Sequence, residues 1–310
     1  MRTIFFGTPD FAVPTLAALV AAGYTPTRVI TRPARPVGRG HKLQQPPVAE
    51  WAADHGLEIL QPEKVNRRSF RAELAELAPD IAVVVAFGQI FRPRLLALPR
   101  LGCVNLHASL LPRHRGAAPI QAALACGDTQ TGVTTMRMTA GLDSGPILLQ
   151  DELAIGPAET APGLSERLAR RGADLVVDTL DGLAKGDIEP RQQADDLASY
   201  APQLSKADGI ADWQCTATEI YNRLRAYEPW PGQASAMHGK RVKILAARCL
   251  TGEATEPPGT YVGTREGLLA VACGKGTLLG LERVQLPGKK PVAAADFANG
   301  ARLEPGERFE

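Results

Sequence analysis

A short polar segment of the chain, Asn105-Leu106-His107-Ala108-Ser109, has residue types that suit acyl chemistry. It ends an apolar run typical of a buried strand, and side chains along a strand alternate between its two faces. Asn105 and His107 are therefore expected on one face, ~6–7 Å apart along the strand. A carboxamide there can donate a hydrogen bond to a developing oxyanion, and an imidazole can accept or relay a proton near neutral pH. The attack of an amine on an acyl carbon requires both groups.

A second segment can place a carboxylate beside this imidazole. Gly141-Leu142-Asp143-Ser144-Gly145 is bounded by glycines, which predicts a tight turn. Such a turn can direct Asp143 toward His107, where the carboxylate would fix the imidazole tautomer and stabilise the imidazolium. Spacing alone also allows a simpler interpretation. In that case Asn105 and His107 satisfy backbone groups at a strand end, and Asp143 closes an Asx-turn.

The sequence around these segments predicts an α/β domain. Short apolar or β-branched runs alternate with helical patterns, which implies right-handed crossovers and a mostly parallel sheet. The run from Ile81 to Ala86 has no polar face and is typical of an interior strand. Thr8 and Pro9 predict the start of the first helix, with the Thr8 hydroxyl as its N-cap. The expected strands are 3–6, 27–31, 57–60, 81–87, 103–107, 132–138 and 146–153, and the expected helices are 10–22, 47–54, 69–77, 90–98 and 163–185.

The turn after the first expected strand, Gly7-Thr8-Pro9-Asp10, is neither GxGxxG nor GxxxxGK[ST]. The backbone cradle for a pyrophosphate or a triphosphate is therefore missing, and we expect a Rossmann-like domain that binds no dinucleotide. Its ligand is still expected at the carboxyl ends of the parallel strands. The motifs GxSxG and HExxH are absent as well, which disfavours a serine hydrolase and a zinc protease.

The pattern changes after residue 188. Residues 189–208 are polar and contain prolines, which predicts a linker between a catalytic domain at 1–188 and a second domain at 209–310. Several short strands at close spacing predict that the second domain is a small β-barrel of the OB type. The expected fold class is thus a Rossmann-like, mostly parallel sheet domain followed by an OB-like barrel. The expected elements of the second domain are a helix at 217–227 and strands at 241–247, 259–262, 268–272 and 277–284.

The composition narrows the class further. The 310 residues carry 35 Lys and Arg against 33 Asp and Glu, a formal net charge of +2, and a hydrophobic fraction of 45% is typical of a globular protein. Five cysteines, an odd number without a CxxC pair, disfavour a disulfide framework and a cysteine zinc site. We expect a reduced, cytoplasmic protein that holds no metal. Neither a signal-like segment nor an apolar stretch near the ~20 residues of a membrane span is found, so no membrane partner is expected.

The segment from Asn105 to Ile120, NLHASLLPRHRGAAPI, resembles the N-x-H…SLLPRxRGAAPI segment of the 10-formyltetrahydrofolate-dependent formyltransferases. His114 lies in a polar part of this segment and is expected at the surface. Within the family, further segments resemble the members that formylate methionyl-tRNA, and the match runs in order from residue 4 to about residue 309. These segments are Gly7-Thr8-Pro9-Asp10-Phe11, Arg35-Pro36-Val37-Gly38-Arg39-Gly40, Gly132-Val133-Thr134, Gly141-Leu142-Asp143-Ser144-Gly145 and Pro229-Trp230-Pro231.

The resemblance implies transfer of a formyl group from N10 of 10-formyltetrahydrofolate to the α-amino group of methionine on initiator tRNA, for translation initiation. It implies that Asn105, His107 and Asp143 are the catalytic residues. From their chemistry we expect Asn105, assisted by His107, to stabilise the tetrahedral oxyanion, and the His107 and Asp143 pair to move protons from the amine to N10. The turn at Phe87 and Gly88 is expected to line the pterin slot, although a plain strand-to-helix connection is an equal alternative. The remaining folate contacts that the resemblance implies are Ser109, Leu110, Leu111 and Pro112.

Cations cluster in two windows, although the net charge near zero would disfavour a nucleic-acid partner. No acidic residue lies between Asp10 and Glu50, or between Glu228 and Glu253. The first window contains a basic loop insertion, 32–47, which we expect to be unstructured without RNA and to contact tRNA phosphates. Solvated loop and strand residues are the simpler alternative. The expected tRNA-binding residues are Arg39, Lys42 and Arg35 in the first window and Lys240, Arg241 and Lys243 in the second.

Three alternative functions stay open at this point. A folate-dependent formyltransferase that acts on a small amine, such as glycinamide ribonucleotide or a nucleotide amino sugar, would share Asn105, His107 and Asp143. A hydrolase that releases formate from the folate, and a nucleic-acid-binding protein with an inactive α/β domain, are two further alternatives. The basic loop and the second domain favour initiator methionyl-tRNA, because a small substrate needs neither of them. We expect the protein to be a monomer.

Overall fold

A seven-stranded sheet forms the centre of the first part of the chain. The structure, a computed structural model, describes residues 1–37 and 42–310. The residue contacts divide the chain into two units. The first unit consists of Met1–Pro119, Gln130–Ala154 and Leu164–Ala201, and the second of Ile120–Thr129, Ile155–Gly163 and Pro202–Glu310.

The elements up to residue 201 follow the alternation that the sequence predicts. The helices are α1 (Val13–Ala21), α2 (Pro47–Asp54), α3 (Arg68–Glu76), α4 (Pro93–Leu96), α5 (Pro119–Cys126) and α6 (Ala161–Lys185). The strands are β1 (Thr3–Gly7), β2 (Arg28–Ile30), β3 (Arg35–Val37), β4 (Lys42–Gln44), β5 (Ile59–Leu60), β6 (Ile81–Val85), β7 (Cys103–His107), β8 (Arg115–Gly116), β9 (Gln130–Arg137), β10 (Ile147–Ala154) and β11 (Tyr200–Ala201).

The large sheet has the strand order β10-β9-β7-β6-β1-β2-β5. β1 lies parallel to β2 and β6, and β6 lies parallel to β7, whereas β9 runs antiparallel to both β7 and β10. Every residue of β1 and β6 is buried, because both faces of these central strands are covered. Their largely continuous apolar runs are typical of such strands. The prediction of a mostly parallel sheet is confirmed.

The first helix begins differently from the sequence-based prediction. A single 3₁₀ turn, Asp10–Ala12, precedes α1, and no side chain caps either element. The Thr8 hydroxyl instead donates a hydrogen bond of 3.3 Å to the Phe87 carbonyl oxygen. Thr8 therefore joins the turns that follow β1 and β6, and its prediction as an N-cap is wrong.

The basic segment 32–47 is not unstructured over its described residues, which corrects our prediction. β3 and β4 pair antiparallel, with Arg35 opposite Gln44 and Pro36 opposite Leu43. Strands of three residues are too short for an alternating pattern to be recognised in the sequence. Arg39, the first choice among the tRNA-binding residues, lies outside the described residues.

The segment predicted as a linker, 189–208, contributes residues 189–201 to the first unit. Arg191 and Ile147 exchange two backbone hydrogen bonds of 2.8 Å, and β11 pairs with β8. Polar and proline-rich composition predicts a linker, but these backbone groups are satisfied by neighbouring strands and loops. The boundaries 1–188 and 209–310 thus differ from the division that the contacts make.

The second unit contains an antiparallel sheet with the strand order β12-β13-β16-β15-β14, and β17 pairs with β16. Helix α7 packs against β13 and β16, and begins with a capping box formed by Thr216 and Glu219. The strands are β12 (Gln233–Met237), β13 (Lys240–Leu250), β14 (Tyr261–Arg265), β15 (Leu268–Ala272), β16 (Leu278–Gln285) and β17 (Val292–Ala293), and the helices are α7 (Ala217–Ala226) and α8 (Ala294–Ala301).

Residues 307–310 close this sheet by pairing with both of its ends. Ala236 of β12 exchanges two backbone hydrogen bonds of 2.9 Å with Glu310. On the other side, Phe309 donates to the Gly259 carbonyl at 2.8 Å, and Tyr261 donates to the Glu307 carbonyl at 2.7 Å. Both edges are thus paired, which removes the open strand edges that a small sheet would otherwise expose. The predicted fold class, a mostly parallel α/β sheet followed by a small antiparallel barrel, is confirmed.

Candidate active site

Asn105 and His107 lie at the carboxyl end of β7, between a parallel and an antiparallel neighbour. In the sheet Asn105 pairs with Met136 and His107 with Thr134, both on β9. The two side chains are two residues apart on a regular strand, so they share one face, as their spacing predicts. On the other side of β7 the parallel strand β6 ends at the same edge, directly before Ala86.

His107 is a buried imidazole with a defined tautomer. Its ring is 6% exposed, and Nε2 lies 2.9 Å from the carbonyl oxygen of His114. A carbonyl only accepts hydrogen bonds, so Nε2 carries the hydrogen and the neutral ring has its lone pair at Nδ1. Burial lowers the pKa of His107, against opposing effects of the Asp143 carboxylate and the His114 carbonyl. The ring is therefore a neutral base near pH 7.

Asp143 approaches the free lone pair of this base. Its Oδ2 lies 3.7 Å from Nδ1 of His107 and accepts a hydrogen bond of 2.8 Å from the backbone N–H of Gly116. Asp143 has a left-handed backbone, with φ of +46°. Gly145, which follows in the same turn, has no room for a side chain, because a Cβ there would lie 1.8 Å from the Arg137 carbonyl oxygen.

Two expectations about the histidines need correction. The sequence predicts that Asp143 fixes the tautomer of His107, but the carbonyl of His114 does so, and the carboxylate faces the other nitrogen. His114 is expected at the surface, yet it is 5% exposed and has a left-handed φ of +59°. The loop folds His114 inward because its backbone supplies the acceptor for the buried imidazole.

Asn105 is half-buried at the strand end. Over residues 1–37 and 42–310 its carboxamide makes no hydrogen bond. A carboxamide has two donors and one acceptor, and burying them unpaired is costly. The side chain is therefore available to a ligand that brings its own acceptor.

The loop expected to contact folate, 109–112, is held mainly by its own backbone and by Thr134. The Thr134 hydroxyl donates to the Ser109 carbonyl at 2.6 Å and accepts from the Leu111 N–H at 3.1 Å. The Ser109 hydroxyl donates to the Arg113 carbonyl, and the Leu111 side chain packs against apolar residues of the sheet. Only Leu110 and Pro112 are partly exposed, so a ligand would meet these two side chains and the loop backbone.

A cleft of about 460 Å³ follows the carboxyl ends of β1, β2 and β6. Arg32 crosses it and donates a hydrogen bond of 2.8 Å to the Gly88 carbonyl oxygen. Burial lowers the pKa of Arg32, and the neighbouring Arg35 lowers it further, but a guanidinium remains charged. The cleft lining includes Thr8, Pro9, Asp10, Arg32, Arg35, Gln44, Gln45, Phe87 and Gly88.

Phe87 and Gly88 contribute to this cleft in different ways. The Phe87 ring is 3% exposed and packs edge-on against Phe6 and Phe91, with ring centroids 5.3 and 6.0 Å apart. Its side chain therefore belongs to the core. Gly88 has φ of +77°, which favours glycine and brings its backbone to the cleft wall.

The remaining predicted tRNA-binding cations lie on strands, and four of the five are exposed. Lys42 is exposed on β4, and Arg35 on β3 lines the cleft. Lys240 and Arg241 are exposed on β13, and Lys243 is half-buried on the same strand. In the described part of the chain none of these five side chains forms an ion pair. Arg241 and Lys243 share a face, since they are two residues apart on one strand.

Sequence reasoning missed three polar residues at the site. Arg32 crosses the cleft, and Arg115 is 4% exposed beside the Asp143 turn. Gln193 donates hydrogen bonds to two carbonyl oxygens of that turn. Arg115 stands in the family-like motif and was recognisable there. Gln193 carries no local signal, because its partner Asp143 lies 50 residues away along the chain.

Two family models match this architecture. The model described as formyl transferase matches residues 1–180, and the model described as formyl transferase, C-terminal domain, matches residues 203–302. The chain belongs to the formyl transferase family. This confirms the resemblance that the motifs carry.

Full-length relatives narrow the comparison. The chain is 47% identical over 309 residues to a methionyl-tRNA formyltransferase of Geobacter metallireducens, covering 100% of this chain and 98% of the relative. It is 47% identical over 310 residues to a methionyl-tRNA formyltransferase of Acidobacterium capsulatum, covering 100% and 99%. Similarity at this level spans the sheet unit and the barrel unit alike.

Solved structures with low identity share the fold. WlaRD, a sugar 3N-formyl transferase determined in the presence of dTDP and 5-N-formyl-THF, superposes with a TM-score of 0.68 at 17% identity, covering 94% of this chain and 99% of WlaRD. An N-formyltransferase of Helicobacter canadensis, in complex with folinic acid and dTDP-3-aminofucose, superposes with a TM-score of 0.68 at 18% identity, covering 91% and 98%. These two likenesses concern the fold alone.

Membrane spans and metal-binding groups are two further features that the sequence leads us not to expect. Among the described residues, no helix has the length and apolar character needed to cross a membrane. In the same residues no three His, Cys, Asp or Glu side chains are grouped as metal ligands would be.

Proposed function

We propose that the chain transfers the formyl group of 10-formyltetrahydrofolate to the α-amino group of methionine on initiator methionyl-tRNA. The observation that carries the proposal is the arrangement of Asn105, His107 and Asp143 at one strand end, within a chain that is 47% identical over its full length to methionyl-tRNA formyltransferases. In this arrangement a free amide donor lies beside a neutral base that faces a carboxylate.

The base has a moderate task in this reaction. An α-amino group titrates near ~8, so a large fraction of it is neutral and able to attack at neutral pH. Its nitrogen forms a bond to the formyl carbon, and it must then lose a proton. Nδ1 of His107 carries a lone pair and can accept that proton. The Asp143 carboxylate, which faces Nδ1, then stabilises the resulting imidazolium. The proton next goes to N10 of the folate as the bond from carbon to N10 breaks.

Asn105 has the complementary role in the tetrahedral intermediate. The formyl oxygen gains negative charge as the amine attacks, and the unpaired Asn105 amide can donate a hydrogen bond to it. One oriented donor of this kind contributes ~3–4 kcal/mol to the transition state. No metal ion is needed, because the amide stabilises the anion and the histidine transfers the proton.

The two substrates must meet for the transfer, and in this proposal they share the cleft that Phe87, Gly88 and Arg35 line. The loop 109–112 and the turn at Phe87 and Gly88 would contact the folate. The arginine-lined cleft suits the anionic end of a tRNA, and the exposed cations of β4 and β13 suit its phosphates. The proposed tRNA contacts are Arg35, Lys42, Lys240, Arg241, Lys243 and Arg39, which lies outside the described residues.

Formylation of a small amine remains the second candidate. The structural neighbours include sugar formyltransferases, which share the fold at 17% and 18% identity. The identity of 47% to methionyl-tRNA formyltransferases, including the barrel unit, favours tRNA. We further propose that the protein is a monomer and that it acts in the cytoplasm, where initiator tRNA is charged and used.

One assay tests the proposal. The protein is incubated with 10-formyltetrahydrofolate and, in separate reactions, with initiator methionyl-tRNA, elongator methionyl-tRNA or a nucleotide amino sugar, and the formylated products are measured. We expect formyl-methionine on initiator tRNA only. Formylation of the sugar without formylation of tRNA would support the second candidate, and release of formate without any acceptor would support a hydrolase.

A further inference from the structure

Gln193 binds the turn that carries Asp143 through both hydrogens of its amide. Nε2 donates to the carbonyl oxygen of Asp143 at 2.8 Å and to that of Gly145 at 2.7 Å. Gln193 lies in the segment that composition marks as a linker, yet its side chain is half-buried. One amide group thus binds the carbonyl oxygens of the residues before and after Ser144.

The other end of the same amide is held by an arginine. Oε1 of Gln193 accepts two hydrogen bonds from Arg115, at 3.0 Å from Nε and 2.8 Å from Nη2. A guanidinium only donates hydrogen bonds and the two turn carbonyls only accept them, so the amide has one possible orientation. Arg115 is 4% exposed, and its Nη2 also donates to Asp195 at 2.8 Å.

The same stretch of backbone reaches the Asp143 carboxylate. Gly116, directly after Arg115, donates its N–H to Oδ2 of Asp143, the oxygen that faces His107. Asp143 itself has φ of +46°, a conformation that a residue with a side chain rarely adopts without support. The turn is therefore held at its backbone by Gln193 and at its carboxylate by Gly116.

We infer that Gln193, oriented by Arg115, is a positioning residue that holds the Asp143 carboxylate opposite Nδ1 of His107. Gln193 acts through Asp143 and touches no reacting group. The inference rests on the proposed function, because it gives the hydrogen bonds of Gln193 a role in the proton step of formyl transfer. Among the described residues, Asp143 and His114 are the titratable groups that act on His107.

The test compares Gln193→Met with Gln192→Met, a matched control. Methionine keeps the length of the side chain and removes its donors, and the control residue is exposed and makes no side-chain hydrogen bond over residues 1–37 and 42–310. We expect kcat of Gln193→Met to fall by about 10–100-fold, with KM for tRNA nearly unchanged, because misplacing a catalytic group by ~1 Å can cost ~100-fold. The control should behave like the wild type.

The pH profile separates positioning from loss of stability. The Asp143 carboxylate raises the pKa of His107, so its displacement should move the acidic limb of the kcat profile to lower pH in Gln193→Met. A purely structural role would lower the amount of folded protein without moving that limb. Arg115→Lys, which keeps the charge and loses the paired donors, should show the same shift to a smaller degree.

A double variant completes the test. If Gln193 acts through Asp143, Gln193→Met should have little further effect on kcat in an Asp143→Asn background. A full additional loss there, or wild-type kcat and pH profile for Gln193→Met, would overturn the inference. Should Gln193→Met not fold, the Arg115→Lys profile decides in the same way. Absence of formyl transfer by the wild type would instead contradict the proposed function.

Discussion

Two regions of the molecule hold their polar side chains in opposite ways. Around the end of β7, His107, Ser109 and Arg115 are almost completely buried, and their polar atoms contact the neighbouring loops. On β13, Lys240 and Arg241 are exposed, and in the described part of the chain neither forms an ion pair. The end of β7 therefore holds its polar atoms at fixed positions, whereas β13 presents positive charge to the solvent.

This difference predicts how each region responds to substitution. A buried polar group acts at a defined distance in a low dielectric, so removing it changes the reaction rate and salt changes the effect little. An exposed cation acts on phosphates through solvent, so removing it weakens binding in a salt-dependent way. We therefore expect effects on kcat from the strand end and effects on KM for tRNA from the barrel.

The largest effect is expected from His107→Ala. Loss of the base should lower kcat by about 10²–10⁴-fold, since positioned general acid–base groups contribute that much. The dissociation constant for tRNA, measured separately by filter binding, should be unchanged. His55→Ala is the control, because it removes an exposed histidine of the same unit. The His55 ring contacts Trp51 and has no role in the proposed reaction. A variant of His107 that lost tRNA binding together with kcat would show that the strand end also binds tRNA, which contradicts the division of roles between the two regions.

Asn105→Ala should have the next largest effect. Removing one oriented donor to the oxyanion lowers kcat by about 10²–10³-fold, with the fold intact because the side chain is only half-buried. Single-turnover rates with saturating tRNA measure this directly, and the melting temperature confirms the fold. Near-wild-type kcat in this variant would show that the oxyanion donor lies elsewhere.

The double variant Arg241→Ala with Lys243→Ala tests the role of the exposed cations on β13. We expect a several-fold rise in KM for tRNA at low salt, an unchanged KM for the folate, and a kcat close to that of the wild type. The slope of log KM against log salt should fall by about 1 for each phosphate that the variant no longer neutralises. Arg94→Ala, which removes an exposed cation of α4, is the control. An equal loss for both substrates would contradict the assignment.

The smallest effect concerns stability and pH. Burial lowers the pKa of His107, so the unfolded chain takes up this proton first as the pH falls. The contribution of the neutral ring to the free energy of unfolding is therefore fully present above the ordinary histidine pKa of ~6.5. This contribution is lost as the pH falls from that value toward the lowered pKa of His107 in the folded state. The loss is at most about 1.4 kcal/mol for each pH unit.

Urea unfolding at pH 7.5 and pH 5.5 measures this effect. The free energy of unfolding should fall more for the wild type than for His107→Gln, because glutamine does not titrate. An identical pH dependence in the two proteins would show that His107 is not the group responsible. Unlike the effects on tRNA binding, this difference should persist at high salt, since the ring is buried.

Local pattern was sufficient for much of the sheet unit. The apolar runs of β1 and β6 predict buried central strands, and the helix predicted at 47–54 is found at Pro47–Asp54. The alternation of Asn105 and His107 places both on one face of β7. These features depend on neighbours in the sequence, and strand and helix periods are visible at that range.

Other features depend on partners far along the chain and were not predictable in this way. The pairing of β3 with β4, the exchange of hydrogen bonds between Ala236 and Glu310, and the packing of segment 191–201 on the site loops carry no local pattern. Backbone groups find such partners only after the elements have packed, because each must be satisfied somewhere in the folded chain.

Residue types and their spacing define which chemistry is available: an amide and an imidazole two residues apart, a carboxylate in a glycine-bounded turn, and two windows of cations without acids. How these groups are used depends on the contacts that form when the chain folds. The His114 carbonyl sets the tautomer of His107, and Gln193 holds the Asp143 turn from 50 residues away. Residue type sets which hydrogen bonds a side chain can donate or accept, whereas burial and the distance to partners set which of these bonds it makes.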